Sequence, residues 1–275
     1  MKDKIIISFI MSMVLAFTVI TTPAVSAKEA AKAYYVQVEG TVNMQYAYKV
    51  LELINKYRED HGCDAIIMNE FLLDSAVQRA AELSVSFDHT RPDGSSCFTS
   101  CDLMYAENIA AGQLTPKEVV KAWKKSKPHR ANILKKGYQS CGIGCFKNNG
   151  VYYWVQDFGI SNADEFIDEE NRTQRFSIKV KNKLKYKLSV GKKLTMKEGA
   201  TKKINIFRVS SDNAYFNSKL LSASGKWKSS NKKVATINRY GKLTAKKKGT
   251  ATITCTMGGV EKSFKVTVKK ADQKK

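Results

Sequence analysis

One discontinuity in charge limits what this 275-residue chain can fold into. From Arg172 to the C-terminus there are 29 Lys+Arg against 4 Asp+Glu, a net +25 in a chain whose total is +22, so everything before Arg172 carries −3. The period of the apolar residues changes in the same region, from helical spacing to short alternating runs, which predicts two differently built units rather than one domain. With 43% hydrophobic and 10% aromatic residues, each unit can bury a core. Between them, residues 161–185 ("SNADEFIDEENRTQRFSIKVKNKLK") pass from acidic to basic without a sustained apolar period. They read as a linker whose change of sign lets it lie across both units.

The N-terminus carries a targeting pattern. Lys2 and Lys4 precede an apolar run from Ile5 to Ile20, and Val25 and Ala27 supply small residues of a cleavage site, so residues 1–27 read as a secretory signal peptide. The alternative, a membrane anchor, is disfavoured because the run is short and is followed by Thr and Pro. No later segment is apolar enough for an integral span, which predicts a secreted, extracellular protein, soluble or bound to the cell envelope at its surface.

The first unit reads as helices followed by a hairpin. In "MQYAYKVLELINKYREDHG" the residues Tyr46, Val50, Leu51, Ile54 and Tyr57 recur at helical spacing up to Gly62, with His61 placed to interact with the helix C-terminus. In "NEFLLDSAVQRAAELSVSF" Asn69 is the expected N-cap, and Leu72, Leu73, Ala76, Ala80 and Leu83 form the buried stripe. "TPKEVVKAW" opens with a capping Thr115 and Pro116, and Trp123 falls on the apolar face with Val119 and Val120. Two β runs around "KNNG" then predict a hairpin, and helices plus hairpin favour an α+β layer architecture over a doubly wound parallel sheet.

Four residues in this unit carry chemistry: His89, Glu107, Glu118 and His129. Two neutral imidazoles can hold a borderline cation such as Zn²⁺ while leaving positions open, and a nearby carboxylate can orient a ring N–H or accept a proton. The histidines are forty residues apart, so no local motif such as HExxH brings them together. Ser126 lies one helical turn before His129 and is expected to cap or bond locally rather than act as a nucleophile. Of six cysteines, five lie in this unit. Cys141 and Cys145 on one strand would sit roughly 13 Å apart, too far to bridge each other. Cys97 and Cys101 are then their natural partners, in a disulfide stapling the 97/101 loop over the hairpin, with Cys63 and Cys255 left reduced. A Cys-x3-Cys pair of zinc ligands is the alternative.

The order of "FDHTRPDG", "YAENIAAG", "VVKAWKKSKPHRANIL" and "GIGCFKNNGVYYWVQDFG" resembles the CAP superfamily, also called the SCP or cysteine-rich secretory, antigen 5 and pathogenesis-related 1 family, from about Met44 to Gly159. The resemblance implies an α-β-α sandwich over residues 44–160 with a large cleft in which His89 and His129 are metal ligands. It places Glu107 and Glu118 beside them as candidate acid/base groups, with Asn108, Ser126 and Gln156 in supporting positions. It implies no single reaction.

The second unit reads as β throughout. Thr- and Val-rich alternating runs separated by Gly and Asn turns over residues 186–269 resemble the bacterial Ig-like type 2 (BIG2) domain, strongest at "WKSSNKKVATINRYGKLTAKKKGTATIT", where Trp227 reads as core; residues 270–275 form a basic tail. Its lysines point to anionic cell-wall polymers or lipid headgroups rather than nucleic acid, because no reading helix accompanies them. The combined reading is an exported protein whose His/Glu cleft binds a divalent cation, Zn by preference, or another ligand, attached to the envelope by a cationic module. The alternatives are a metal-dependent hydrolase of peptide or cell-wall material and a non-catalytic surface adhesion protein.

Overall fold

The computed structural model describes residues 33–161, 170–209 and 217–271, so the signal segment and most of the basic tail lie outside the described residues. The first unit runs β1 (Tyr34–Val42), α1 (Met44–Glu59), β2 (Ile67–Met68), α2 (Glu70–Val85), β3 (Ala106–Ala111), α3 (Pro116–Lys125), α4 (Lys127–Ile133), β4 (Ser140–Asn148) and β5 (Val151–Gly159). The helices start where the sequence signals lie. Asn69 Oδ1 accepts from the Leu72 N–H at 3.1 Å, and Thr115 Oγ1 accepts from the Glu118 N–H at 3.2 Å with Pro116 in the first turn. His61 Nδ1 lies 2.8 Å from the Tyr57 carbonyl oxygen in the last turn of α1. The hairpin turns on Asn149 and Gly150, both with positive φ (49° and 84°), the backbone a tight two-residue connection requires.

Two glycines decide how the layers meet. A Cβ on Gly142 would lie 2.0 Å from the backbone of Leu72, and one on Gly144 2.1 Å from the Ala76 carbonyl oxygen, so β4 can approach α2 this closely only without side chains. Residues of β4 that alternate with these glycines, Cys141 and Cys145, therefore face the other side, where Arg58 of α1 lies near Cys141. The alternation holds along β5. Asp157 receives a hydrogen bond from Ser75 of α2 at 2.9 Å, whereas Trp154 stacks on Tyr46 of α1 at 6.0 Å. The sheet thus lies between α2 and the α1, α3 and α4 layer, an α-β-α sandwich, with Trp123 buried and bonded to the Ile109 carbonyl at 3.3 Å.

The expected 97/101-to-141/145 disulfide is not formed, and all six cysteines are free thiols. Cys97 and Cys101 pack with Leu72 and Met104 on the α2 side, and Cys141 and Cys145 belong to the main core on the opposite face. Sequence spacing carries no information about which face a thiol takes. Gly142 and Gly144 are what turn these two away.

Part of the stretch expected to be a linker is a strand. Residues 172–180 form β6 (Arg172–Val180), antiparallel to the whole of β1 from Tyr34↔Val180 to Val42↔Arg172. Phe176, Ile178 and Val180 are buried and alternate with exposed Arg175, Ser177 and Lys179, a period-two pattern that the charge transition overlies. The first unit also begins ten residues earlier than residue 44, with β1.

The remaining strands are β7 (Tyr186–Leu188), β8 (Lys193–Lys197), β9 (Thr201–Lys203), β10 (Ile206–Arg208), β11 (Lys219–Leu220), β12 (Lys226–Ser229), β13 (Ala235–Ile237), β14 (Lys242–Ala245), β15 (Gly249–Met257) and β16 (Val260–Lys269). Sheets β12-β15-β16-β8 and β13-β14-β9 enclose a core of Ile204, Leu243, Ile253, Phe264 and Val266, an Ig-like sandwich. Strands β11, β10 and β7 instead extend the sheet of the first unit through Val38↔Leu220, and Asn148 clamps Lys219 with two backbone bonds of 2.7 and 3.0 Å. The two units are joined by shared sheet rather than by a tether.

Candidate functional site

The site is assembled at β3, which ends the described order of the sheet and presents neighbouring residues to opposite layers. Glu107 faces α2. Its carboxylate is almost fully buried and accepts from Arg79 Nε at 2.7 Å, Arg79 Nη2 at 3.2 Å and His89 Nδ1 at 2.8 Å. Arg79, itself fully buried, also pairs with Glu82 at 3.0 Å and donates to the Asp88 carbonyl at 2.9 Å, which pins the backbone immediately before His89. Arg91 adds a second contact to Glu82 at 2.6 Å. An ionised carboxylate only accepts, so His89 Nδ1 carries its proton and Nε2 is the remaining ring nitrogen.

Cys97 joins this cluster from the far side of a closed turn. The bridge Thr90↔Ser96 folds "TRPDGSS" back on itself, and the Cys97 N–H donates to the His89 carbonyl at 3.1 Å. One ligand atom from each of His89, Cys97 and Glu107 lies within 4.8 Å of the others. Hydrogen bonding of the ring to Cys97 and then to Glu107 raises the His89 imidazole from 6.5 to about 9, against burial, although its side chain remains 55% exposed. Burial pushes Glu107 up, but His89 and Arg79 together hold it below the ordinary carboxylate value. Asp157, bonded to Ser75, is pushed well above the usual range by complete burial and by the nearby charge of Glu107.

On the other layer, Asn108 donates to the His129 carbonyl at 3.2 Å and to Gln156 Oε1 at 3.4 Å, and Asn132 donates to Asn108 Oδ1 at 2.9 Å. Asn108 and Gln156 thus fix the position of α4 and, with it, His129. Burial, and secondarily the positive charge of His89, lower the His129 imidazole below 6.5, so it stands neutral and near enough to His89 to feel it.

Two sequence candidates show only local roles among the described residues. Glu118 is exposed and completes the α3 cap, its Oε2 accepting from the Leu114 N–H at 2.8 Å, and among the described residues no ion pair or hydrogen bond joins it to either histidine. Ser126 sits at the joint between α3 and α4 without a side-chain capping bond. Sequence reasoning missed Arg79, whose position inside the apolar stripe between Ala76 and Ala80 was the available signal of a buried ion pair. It also assigned Cys97 to a bridge rather than to His89.

Residues 51–158 match the family model described as Cysteine-rich secretory protein family (CAP), and residues 181–268 match that of the bacterial Ig-like domain, group 2. The chain joins a CAP domain to a group 2 bacterial Ig-like domain. The chain is 37% identical over 121 residues to the uncharacterized protein YkwD of Bacillus subtilis (strain 168), a match covering 41% of this chain and 46% of that protein. The chain therefore spans about half the length of this curated relative. Among solved structures, an extracellular SCP-domain protein from Bacillus anthracis str. Ames aligns over 42% of this chain and 40% of its own, at 19% identity and a TM-score of 0.39. An outer surface protein from Borrelia burgdorferi aligns over 45% of this chain and 99% of its own, at 16% identity and a TM-score of 0.39. No described helix is long and apolar enough to cross a membrane.

Proposed function

We propose that the chain is an exported binding protein whose CAP cleft holds a divalent cation, Zn²⁺ by donor chemistry, between His89 and His129, and whose cationic Ig-like module keeps it at anionic polymers or headgroups of the cell envelope. One observation carries the metal reading. The Glu107 carboxylate accepts from His89 Nδ1–H, in the manner of outer partners that orient metal-bound histidines, and so leaves Nε2 as the ring nitrogen that would bind a cation in exchange for the proton it carries on the raised imidazole. His129, held neutral, is the second donor. When bound, the cation would supply a Lewis-acidic centre with open positions for an oxygen of a ligand.

Binding is favoured over hydrolysis by the state of the two carboxylates. Both oxygens of Glu107 are engaged by Arg79 and His89, and Glu118 serves the α3 cap, so neither stands ready as a general base. Attachment to the envelope rests on the +25 carried from residue 172 onward. Calorimetric titration with Zn²⁺ tests the cleft: the wild-type chain should bind, and the His89→Ala/His129→Ala double variant should not while keeping its circular dichroism. Equal binding by the two proteins removes the histidines as ligands.

A further inference from the structure

We propose that Cys97 is a third donor to the same cation, making the cleft a thiolate–imidazole site that selects thiophilic metals over Ca²⁺ and Mg²⁺; this rests on the His89/His129 reading above. Two donors on one tetrahedral zinc, at about 2.0 Å for nitrogen and 2.3 Å for sulfur, lie about 3.5 Å apart. One ring nitrogen of His89, the Cys97 sulfur and a Glu107 oxygen already lie within 4.8 Å of one another, so the thiol and the imidazole are close enough for side-chain rotation to bring sulfur and Nε2 onto one ion. Glu107, bound twice by Arg79, stays behind as the orienting carboxylate.

The thiol is held in place independently of its side chain. Its own N–H is tied to the His89 carbonyl at 3.1 Å, and the short helical turn Cys97–Thr99 that it opens is capped by Ser96. Ser100 Oγ donates to the Cys97 carbonyl at 2.7 Å and stands 2.7 Å from Ser75 Oγ of α2, the helix that carries Arg79. The same helix therefore anchors both sides of the turn from His89 to Cys97. His129 belongs to the opposite layer and is near enough to His89 to feel its charge, so in this proposal the three donors would come from three different segments. A soft sulfur donor beside two imidazoles suits Zn²⁺, Co²⁺ and Cd²⁺, whereas Ca²⁺ and Mg²⁺ require oxygen.

The test titrates the full chain with Co²⁺ in a non-thiol reductant and follows the near-ultraviolet thiolate-to-cobalt charge-transfer band. The band should appear in the wild type and in Cys101→Ser, be absent in Cys97→Ser, and be accompanied there by at least a tenfold loss of Co²⁺ affinity. On the wild type alone, Zn²⁺ should slow alkylation of Cys97 by iodoacetamide, read by peptide mass, while Ca²⁺ should not. Cobalt binding without the band, equal affinity in Cys97→Ser, or a Cys97–Cys101 disulfide in the untreated protein overturns the assignment of Cys97 and leaves the two-histidine site standing. No cobalt binding by the wild type overturns both.

Discussion

Replacing Glu107 by Gln keeps the shape of the side chain and removes only its charge. In the native protein Arg79 and Arg91 are balanced by Glu82 and Glu107, with Arg79, Glu82 and Glu107 nearly or fully buried. The variant leaves two guanidiniums sharing Glu82, and one of the Gln amide's hydrogens must face a guanidinium that can only donate. Breaking a buried pair by removing one partner costs about 3–5 kcal/mol. Because Arg79 keeps Glu82 at 3.0 Å and the Gln oxygen still accepts, the lower end, about 3 kcal/mol, is expected. For a unit of this size that is a fall in Tm of about 6–12 °C. The loss of the oriented Nδ1–H should also weaken Zn²⁺ binding about 10–100-fold. Urea denaturation and calorimetry on the same preparation read both numbers, with Glu118→Gln as the control. That exposed cap should lose no more than about 1 kcal/mol and leave metal affinity unchanged. If Glu107→Gln proves as mild as Glu118→Gln, or loses stability while keeping full affinity, the carboxylate does not orient His89.

Three further outcomes follow from the packing and charge. Gly144→Ala would place a methyl 2.1 Å from the Ala76 carbonyl of α2, a backbone atom that cannot move aside alone, so chemical denaturation should show a loss of at least about 1–3 kcal/mol, whereas Gly137→Ala, with open space around it, should be near neutral. The raised Asp157 means that the fold prefers its protonated form, so its contribution is present below the unfolded value of 3.8 and is lost as pH rises towards its folded value. The stability of Asp157→Asn relative to wild type should therefore increase between acidic and neutral pH, and a difference constant with pH would refute the burial argument. The full chain should sediment with anionic wall polymer at low salt and be released by several hundred millimolar NaCl, roughly, with Gln at exposed Lys246, Lys247 and Lys248 weakening retention. Failure to bind at low ionic strength would leave the lysines as solubilising charge only. The intact chain is the right material because β7, β10 and β11 complete a sheet with β1.

Local signals in this sequence were sufficient where the physics is local. Asn69, Thr115 and Pro116 start helices because a cap needs only the N–H groups two or three residues on, and Asn149-Gly150 makes a hairpin because the turn's φ angles belong to those residues. The association of His89 with Glu107 was accessible only through resemblance to a family, since no spacing connects them. Tertiary structure decided the rest. Whether 172–180 is linker or strand depended on β1 lying alongside it. Whether Cys97 meets another cysteine or His89 depended on Gly142 and Gly144, whose missing side chains let α2 onto one face of the sheet and turned Cys141 and Cys145 to the other. Whether Glu107 is a free base or a buried, committed acceptor depended on Arg79, which reaches it from another element. A strand's alternation can be read in one dimension, but which face meets which partner is a property of packing in three.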